Sequence, residues 1–282
     1  MSEVPEGRPV ENQGVPPAVM RRRWRWTKRA LVAIGLYLLV AYVVLPAAWH
    51  HYEHQPNLEG TPKVTVTGSD IPGDPLNIGL VGTQEEVVRA MLAAGWHPAD
   101  AVTARSSIHI AESVLLDRKY EDAPVSSLYV WGRKQDLAFE QLVGKSAKER
   151  HHVRFWKSPE TADDGRPTWL GAATFDHGVG LSHRTGQITH HIDPDIDAER
   201  DHVLNTLIEA HELLRTYQVS GVGPTLNGRN GGGDWYYTDG EVTIGVISPN
   251  NVPSEIAPIE EPNPIAVQAK NRFWSWLRGW LK

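Results

Sequence analysis

Hydrophobic and polar residues are distributed very unevenly along this chain. From Ala30 to Trp49 it runs without a single charge. At about 1.5 Å per residue, a helix of that length spans the hydrocarbon core of a bilayer. No polar face interrupts the run, so a transmembrane anchor is expected rather than a soluble core helix. Arg21, Arg22, Arg23, Arg25, Lys28 and Arg29 stand just before it, and Lys63 is the only Lys or Arg in the twenty residues after it. That imbalance keeps the N-terminus in the cytoplasm and sends everything from His50 onward across the membrane. Trp24 and Trp26 on one side, with Trp49 and Tyr52 on the other, occupy interfacial positions. Small residues at Leu45-Pro-Ala-Ala48 offer a cleavable-signal alternative. Against it, the apolar run is long, and a cut after Ala48 would put Pro46 at a disfavoured position.

Beyond the anchor the periods change. Residues 50–73, with Pro56, Pro62 and Pro72, read as an extended tether. Leu76–Val81 is a short apolar strand. Thr83-Gln-Glu-Glu86 forms a capping box for a helix ending at Gly95, its apolar pairs Val87/Met91 and Val88/Leu92 sharing a face. A second helix is expected over Ser106–Leu116. Strand patterns then cover Ser127–Trp131, Asp136–Leu142, His151–Trp156, Thr168–Phe175 and Gln187–Ile192. Asp193-Pro194 opens a helix, with Asp193 as N-cap and Ile196, Val203, Leu207 and His211 along the inner face. A strand over Leu213–Val219, a Gly-rich loop over Gly221–Gly233 and a hairpin turning at Asp239-Gly240 complete a domain over residues 74–248. The order of strands and helices is too irregular for a doubly wound sheet. It predicts an α+β fold, a mixed and mainly antiparallel sheet with several helices.

The last segment stands apart. A Pro-rich linker over residues 249–265 precedes a helix over 266–282. Phe273, Trp276, Leu277 and Trp280 fall on one helical face, and Lys270, Arg278 and Lys282 flank the other. Such a helix lies in a membrane interface; docking on the domain is the alternative.

Charge sharpens the division. The formal net charge is −6. Residues 1–29, read as a disordered basic cytoplasmic tail, carry +4 and residues 251–282 carry +1, which leaves −11 between them. An acidic domain argues against nucleic acid as a partner. The expected partner is the lipid bilayer, through residues 30–49 and 266–282. Cysteine is absent, which excludes disulfides, thiolate metal sites and a Cys nucleophile.

Thirteen histidines are present, and the densest run is Thr189-His190-His191-Ile192-Asp193. Imidazole and carboxylate are the donors a Cys-free site would use for a divalent metal, so His190, His191 and Asp193 are the candidate metal ligands. On a strand His190 and His191 point to opposite faces, as do His151 and His152, so only one of each pair reaches a common site. Asp193-x-Asp-x-Asp197 imitates a calcium loop but has Ala198 where Gly is needed. Three acids there also suit the cap and first turn of a helix. Arg133 and Asp136 bend the chain between two strands, as an anion-binding corner or as a local ion pair. Arg229 and Asp234, in a loop whose glycines free the backbone, could complete a polar pocket. No Gly-Lys-Ser/Thr P-loop ending and no G-x-S-x-G serine elbow occurs. The juxtamembrane His50, His51 and His54 read as headgroup-level polar residues.

Several segments resemble one family. Pro75-Leu-Asn-Ile-Gly-Leu-Val-Gly82, Arg133-Lys-Gln-Asp-Leu-Ala-Phe139, His151-His-Val-Arg-Phe-Trp156, Trp169-Leu-Gly-Ala-Ala-Thr-Phe-Asp176, Ile188-Thr-His-His-Ile-Asp193 and Arg229-Asn-Gly-Gly-Gly-Asp234 together resemble the LssY C-terminal domain family over residues 74–248. The resemblance implies a bacterial envelope protein. Some members look like fusions of this domain to lipid-phosphate-phosphatase-like or DedA-like membrane regions, which implies lipid-linked substrates. It implies no catalytic residue. The expected protein is thus a single-pass inner-membrane protein whose outward-facing domain binds an envelope component, a lipid or a protein. The candidate pocket is Arg133, Asp136, His151, His152, Arg154, Asp176, Arg229, Asn230 and Asp234. The rival reading is a metal-assisted hydrolase acting on a phosphate or lipid headgroup.

Overall fold

A computed structural model describes residues 17–47, 60–99, 127–144, 149–183, 186, 188–249 and 256–281. The helix expected over 106–116, the juxtamembrane histidines, the first 16 residues and parts of the tether and Pro-rich linker lie outside them.

Helix α1 (Pro17–Leu39) continues through five π-helical residues, Val40–Val44, to Ala47. Trp24–Ala47 is long and apolar enough to cross a membrane, and its side chains are almost all exposed, as they must be if lipid is the solvent.

Residues 60–281 form an α+β domain. Its main sheet is mixed and mostly antiparallel, and strand β9 (Pro167–Leu181) is its longest member. One edge of β9 pairs with β8 (Arg150–Thr161), which pairs in turn with β7 (Leu137–Leu142). The other edge pairs first with β3 (Ile78–Val81) and then, from Asp176 onward with a bulge at His177, with β10 (Ile188–Ile192). Beyond β3 lie β14 (Val242–Ile247), parallel to it, and β11 (Leu213–Val219). Two helices cover one face. Helix α2 (Gln84–Ala93) starts at the expected capping box: Thr83 Oγ1 accepts from the Glu86 backbone, and Glu86 accepts from that of Thr83. Helix α3 is Ile196–Glu209. Val87, Met91, Val203 and Leu207 pack against Leu80, Phe139, Val153, Phe155 and Trp169 as the principal core.

The opposite face is covered by a small sheet containing β1 (Val64–Thr67), β2 (Pro72–Pro75) and β5 (Leu128–Val130). Leu128 and Val130 meet Trp156 and Ala172 there. Buried Asn77 ties the layers together: its Nδ2 donates to Ala173 O and Ile196 O, and its Oδ1 accepts from Ala173 N, at 2.8–3.1 Å.

Three local expectations are corrected. The N-cap of α3 is Asp195, not Asp193. Asp193 N donates to Phe175 O and Pro194 O accepts from Tyr237 N, so this backbone still pairs as strand when the helix was expected to begin. His211 lies beyond α3 with φ 60° and is exposed, where it reverses the chain rather than lining the core. Asp239-Gly240 does not turn a hairpin. It links β13 (Trp235–Tyr237), paired with β12 (Asn227–Arg229), to β14 in a different sheet.

Helix α4 (Ile265–Leu281) rests on the domain by one side only. Val267 is buried, Trp274 Nε1 donates to Thr238 O, Lys270 Nζ reaches Asp239 O and the Glu241 carboxylate, and Arg278 reaches Asp197 and covers the Tyr237 ring. The other side leaves Phe273 62%, Trp276 57% and Trp280 76% exposed.

Candidate functional site

Strand alternation sorts β8. Val153 and Phe155 enter the helix-side core, whereas Arg150, His152, Arg154 and Trp156 face the small sheet. Trp156 packs there, and the three polar residues extend the same row. All three are buried, as are Thr174 and Asp176 opposite them. The result is a polar layer closed between two sheets. Arg150 Nε donates to Asp176 Oδ2 (3.1 Å), its NH1 donates to Glu140 (3.0 Å), and its NH2 lies 3.3 Å from His190 Nε2. Arg154 NH1 donates to Asp74 Oδ2 (3.1 Å) from β2. Asn230 Nδ2 then bridges Asp74 and Asp234 at 3.4 and 3.5 Å, joining the layer to the Gly-rich loop.

Burial sets the charge states. His152 is held well below the ordinary imidazole range by burial, reinforced by Arg154 and Arg150. His190 is lowered by burial against the pull of Asp176. Burial raises Asp74 more than Arg154 lowers it, and burial also lowers Arg154. With both imidazoles neutral, two guanidiniums face the three carboxylates Asp74, Asp176 and Glu140. An anion gains little from a layer whose cations are already matched, so it is poorly suited to phosphate.

The second cluster stands at the outer end of β9 and β10. His191 Nδ1 lies 2.7 Å and His183 Nε2 3.8 Å from the same oxygen, Asp234 Oδ1. The His177 ring stacks 6.3 Å from that of His191. His190 and His191 thus go to different partners, as alternation along a strand requires.

The candidate residues separate into groups. Asp176 bonds with Arg150 beside His190, while Arg154, Asn230 and Asp234 form a second bonded set with Asp74 and His191; buried His152 lies within the electrostatic reach of both arginines. His151 takes the helix side, 2.7 Å from Glu199 and stacked on His202. Burial raises Glu199 there against the opposing bond to His151, and lowers His202. Arg133 and Asp136 form the local ion pair, with Arg133 also donating to Lys157 O. Arg229 donates to Gly233 O within its own loop. Asp193 accepts from Asp195 N (2.9 Å), and among the described residues its carboxylate does not gather with His190 and His191 into one cluster of donor atoms. An open groove of about 550 Å³, lined in part by Arg200, Asn205, Gln218 and Asn263, contains none of the candidate residues.

Sequence reasoning missed Asp74, Glu140, Arg150, His177 and His183. The signal for Arg150 was present, because Arg150, His152 and Arg154 repeat with the strand period of two. His183 had none, since its partners come from β10 and a loop far along the chain.

No curated protein and no solved structure matches the chain. The family model described as the LssY C-terminus matches residues 58–242, more than half of the chain. With an apolar helix of membrane-spanning length preceding a mixed α+β domain that carries this match, the chain belongs to the LssY C-terminus family.

Proposed function

We propose that this chain is a single-pass protein of the bacterial inner membrane, with its N-terminus in the cytoplasm and its domain on the outer side. The domain rests on the lipid leaflet through α4 and binds there. The observation that carries this reading is the two-sided character of α4. Val267, Lys270, Trp274 and Arg278 fix one side to the domain, while Phe273, Trp276 and Trp280 are left outside. Sequence posed docking and membrane contact as alternatives, and this arrangement supports both at once. The three rings expose roughly 400 Å² in all, worth about 5 kcal/mol if half of it enters the interface. That is ample for a helix already tethered to the same membrane. The rival hydrolase, with His151 or His152, His190 or His191, and Asp176 or Asp193 as ligands, has less support, because His151 pairs with Glu199, His191 with Asp234, and Arg150 engages both Asp176 and His190.

The absence of cysteine allows a direct test on the full-length chain. Ala269→Cys places one thiol on the exposed side of α4, and Asp163→Cys places one in an exposed turn as control. With an environment-sensitive fluorophore attached, liposomes should shift the emission at position 269 to the blue and leave 163 unchanged. Replacing Trp276 and Trp280 by Ser should reverse the shift. Equal, water-like emission at both positions would refute membrane contact.

A further inference from the structure

We infer that His183, His191 and Asp234 form a binding site for a divalent transition metal ion of the zinc type. Three separate segments converge on it: the end of β9, strand β10 and the Gly-rich loop. One donor atom from each residue lies within 4.8 Å of the other two. A local hydrogen bond accounts for one imidazole at Asp234, but not for a second imidazole nitrogen turned toward the same oxygen. Zinc bonds of about 2.0–2.2 Å in a tetrahedral shell set neighbouring ligand atoms about 3.3 Å apart. The observed 2.7 and 3.8 Å lie on either side of that value. The His183 side chain is 65% exposed and free to make the adjustment. Two imidazoles and one carboxylate are donors that zinc accepts readily, and they leave a fourth position open on the exposed side beside His177.

The surroundings hold this set in place. Asp234 Oδ2 accepts from Ile192 N (3.3 Å), and Asp234 N donates to Asn230 Oδ1 (2.9 Å). His183 N donates to Gly232 O (2.8 Å), which binds the β9 end to the loop. A side chain at Gly180 would meet His191, its Cβ only 2.5 Å from Nε2, so the missing side chain there makes room for the ring. The polar layer reaches the site through Asn230, which orients Asp234 from behind in the way outer-shell groups orient metal ligands. This set shares only His191 with the run His190, His191 and Asp193 singled out by composition.

The test uses the full-length chain in detergent, purified on a histidine-free tag and stripped with chelator. Titration with Co(II) should give one equivalent per chain with the visible bands of a tetrahedral site, displaced by Zn(II). Zn(II) should raise the melting temperature of the wild type. His183→Ala, a substitution at an exposed position, should weaken Co(II) binding at least about tenfold and abolish the thermal shift. Asn230→Ala should weaken binding about tenfold as an outer-shell change. His211→Asn, at an exposed histidine elsewhere, should leave it unchanged. No saturable Co(II) binding by the stripped wild type, or equal binding by His183→Ala, would overturn the assignment.

Discussion

Removing Asp74 would expose the cost of the buried polar layer. The Arg154 side chain is 7% exposed and that of Asp74 15%, with 3.1 Å between NH1 and Oδ2. Two unit charges about 4 Å apart attract by about 4 kcal/mol at an effective dielectric of 20, while desolvation costs several kcal/mol per ion. The directions of the pKa shifts say which effect wins. Asp74 lies above its ordinary value and Arg154 below, so burial outweighs the attraction at both partners. Arg154 Nε, moreover, is buried without a partner among the described residues. Asp74→Ala would leave the guanidinium buried with only the more distant Asp176 to offset it, at a cost of about 3–5 kcal/mol. That is a large share of a domain stability of about 5–15 kcal/mol. With an m-value of about 2–3 kcal/mol per molar urea, the midpoint should fall by about 1–2 M. Urea unfolding of the full chain in detergent, followed by tryptophan fluorescence, measures this. The double variant Asp74→Leu/Arg154→Met should recover most of the loss, because the apolar pair carries no desolvation cost. A single variant within about 1 kcal/mol of wild type, or a double variant no better than the single, would refute the reasoning.

Further expectations concern other parts of the molecule. Burial raises Asp197 to about 6 against the pull of Arg200, so its contribution to stability is full below about pH 4 and is lost as pH rises through 6. Against Asp197→Asn, wild type should therefore lose about 3 kcal/mol between about pH 4 and pH 8; a pH-independent difference in unfolding free energy would contradict this. Asn77→Leu strands the Ala173 carbonyl and N–H in the core and removes a second bond to the helical Ile196 carbonyl, and should cost about 3 kcal/mol in the same urea assay. Gly180→Ala should displace the His191 ring and lower Co(II) affinity with little change in melting temperature; unchanged affinity would show that the ring tolerates the new Cβ. A reporter enzyme active only outside the cytoplasm, fused after Lys282, should be active. Moving the basic cluster to residues 50–63 should silence it.

Much of the fold was legible because its signals are local. The capping box at Thr83 and Glu86, the strand Leu213–Val219 and the limits of α4 follow from neighbouring residues alone. The failures are long-range. Asp193-Pro194 has the chemistry of a helix start, but Tyr237 and Phe175 hold that backbone as strand. Asp239-Gly240 has the chemistry of a hairpin, but β13 and β14 enter different sheets. At the site, period two correctly separated His151 from His152 and His190 from His191. Asp74 and His183 were out of reach, because their importance depends on which distant strand or loop covers them.

The parallel pairing of β3 with β14 also bears on how the molecule assembles. Ile78 stands opposite Thr243, so one of the first strands to be made waits for one of the last. Until then β3, buried along its whole length in the finished sheet, keeps a naked apolar edge beside β9. Such edges recruit other chains, and pairings this distant in sequence close slowly. A chain ending before residue 242 would keep that edge permanently and should accumulate as aggregate. Completion of the sheet, and then the seating of α4 on Thr238 and Glu241, can follow only once β14 has been made.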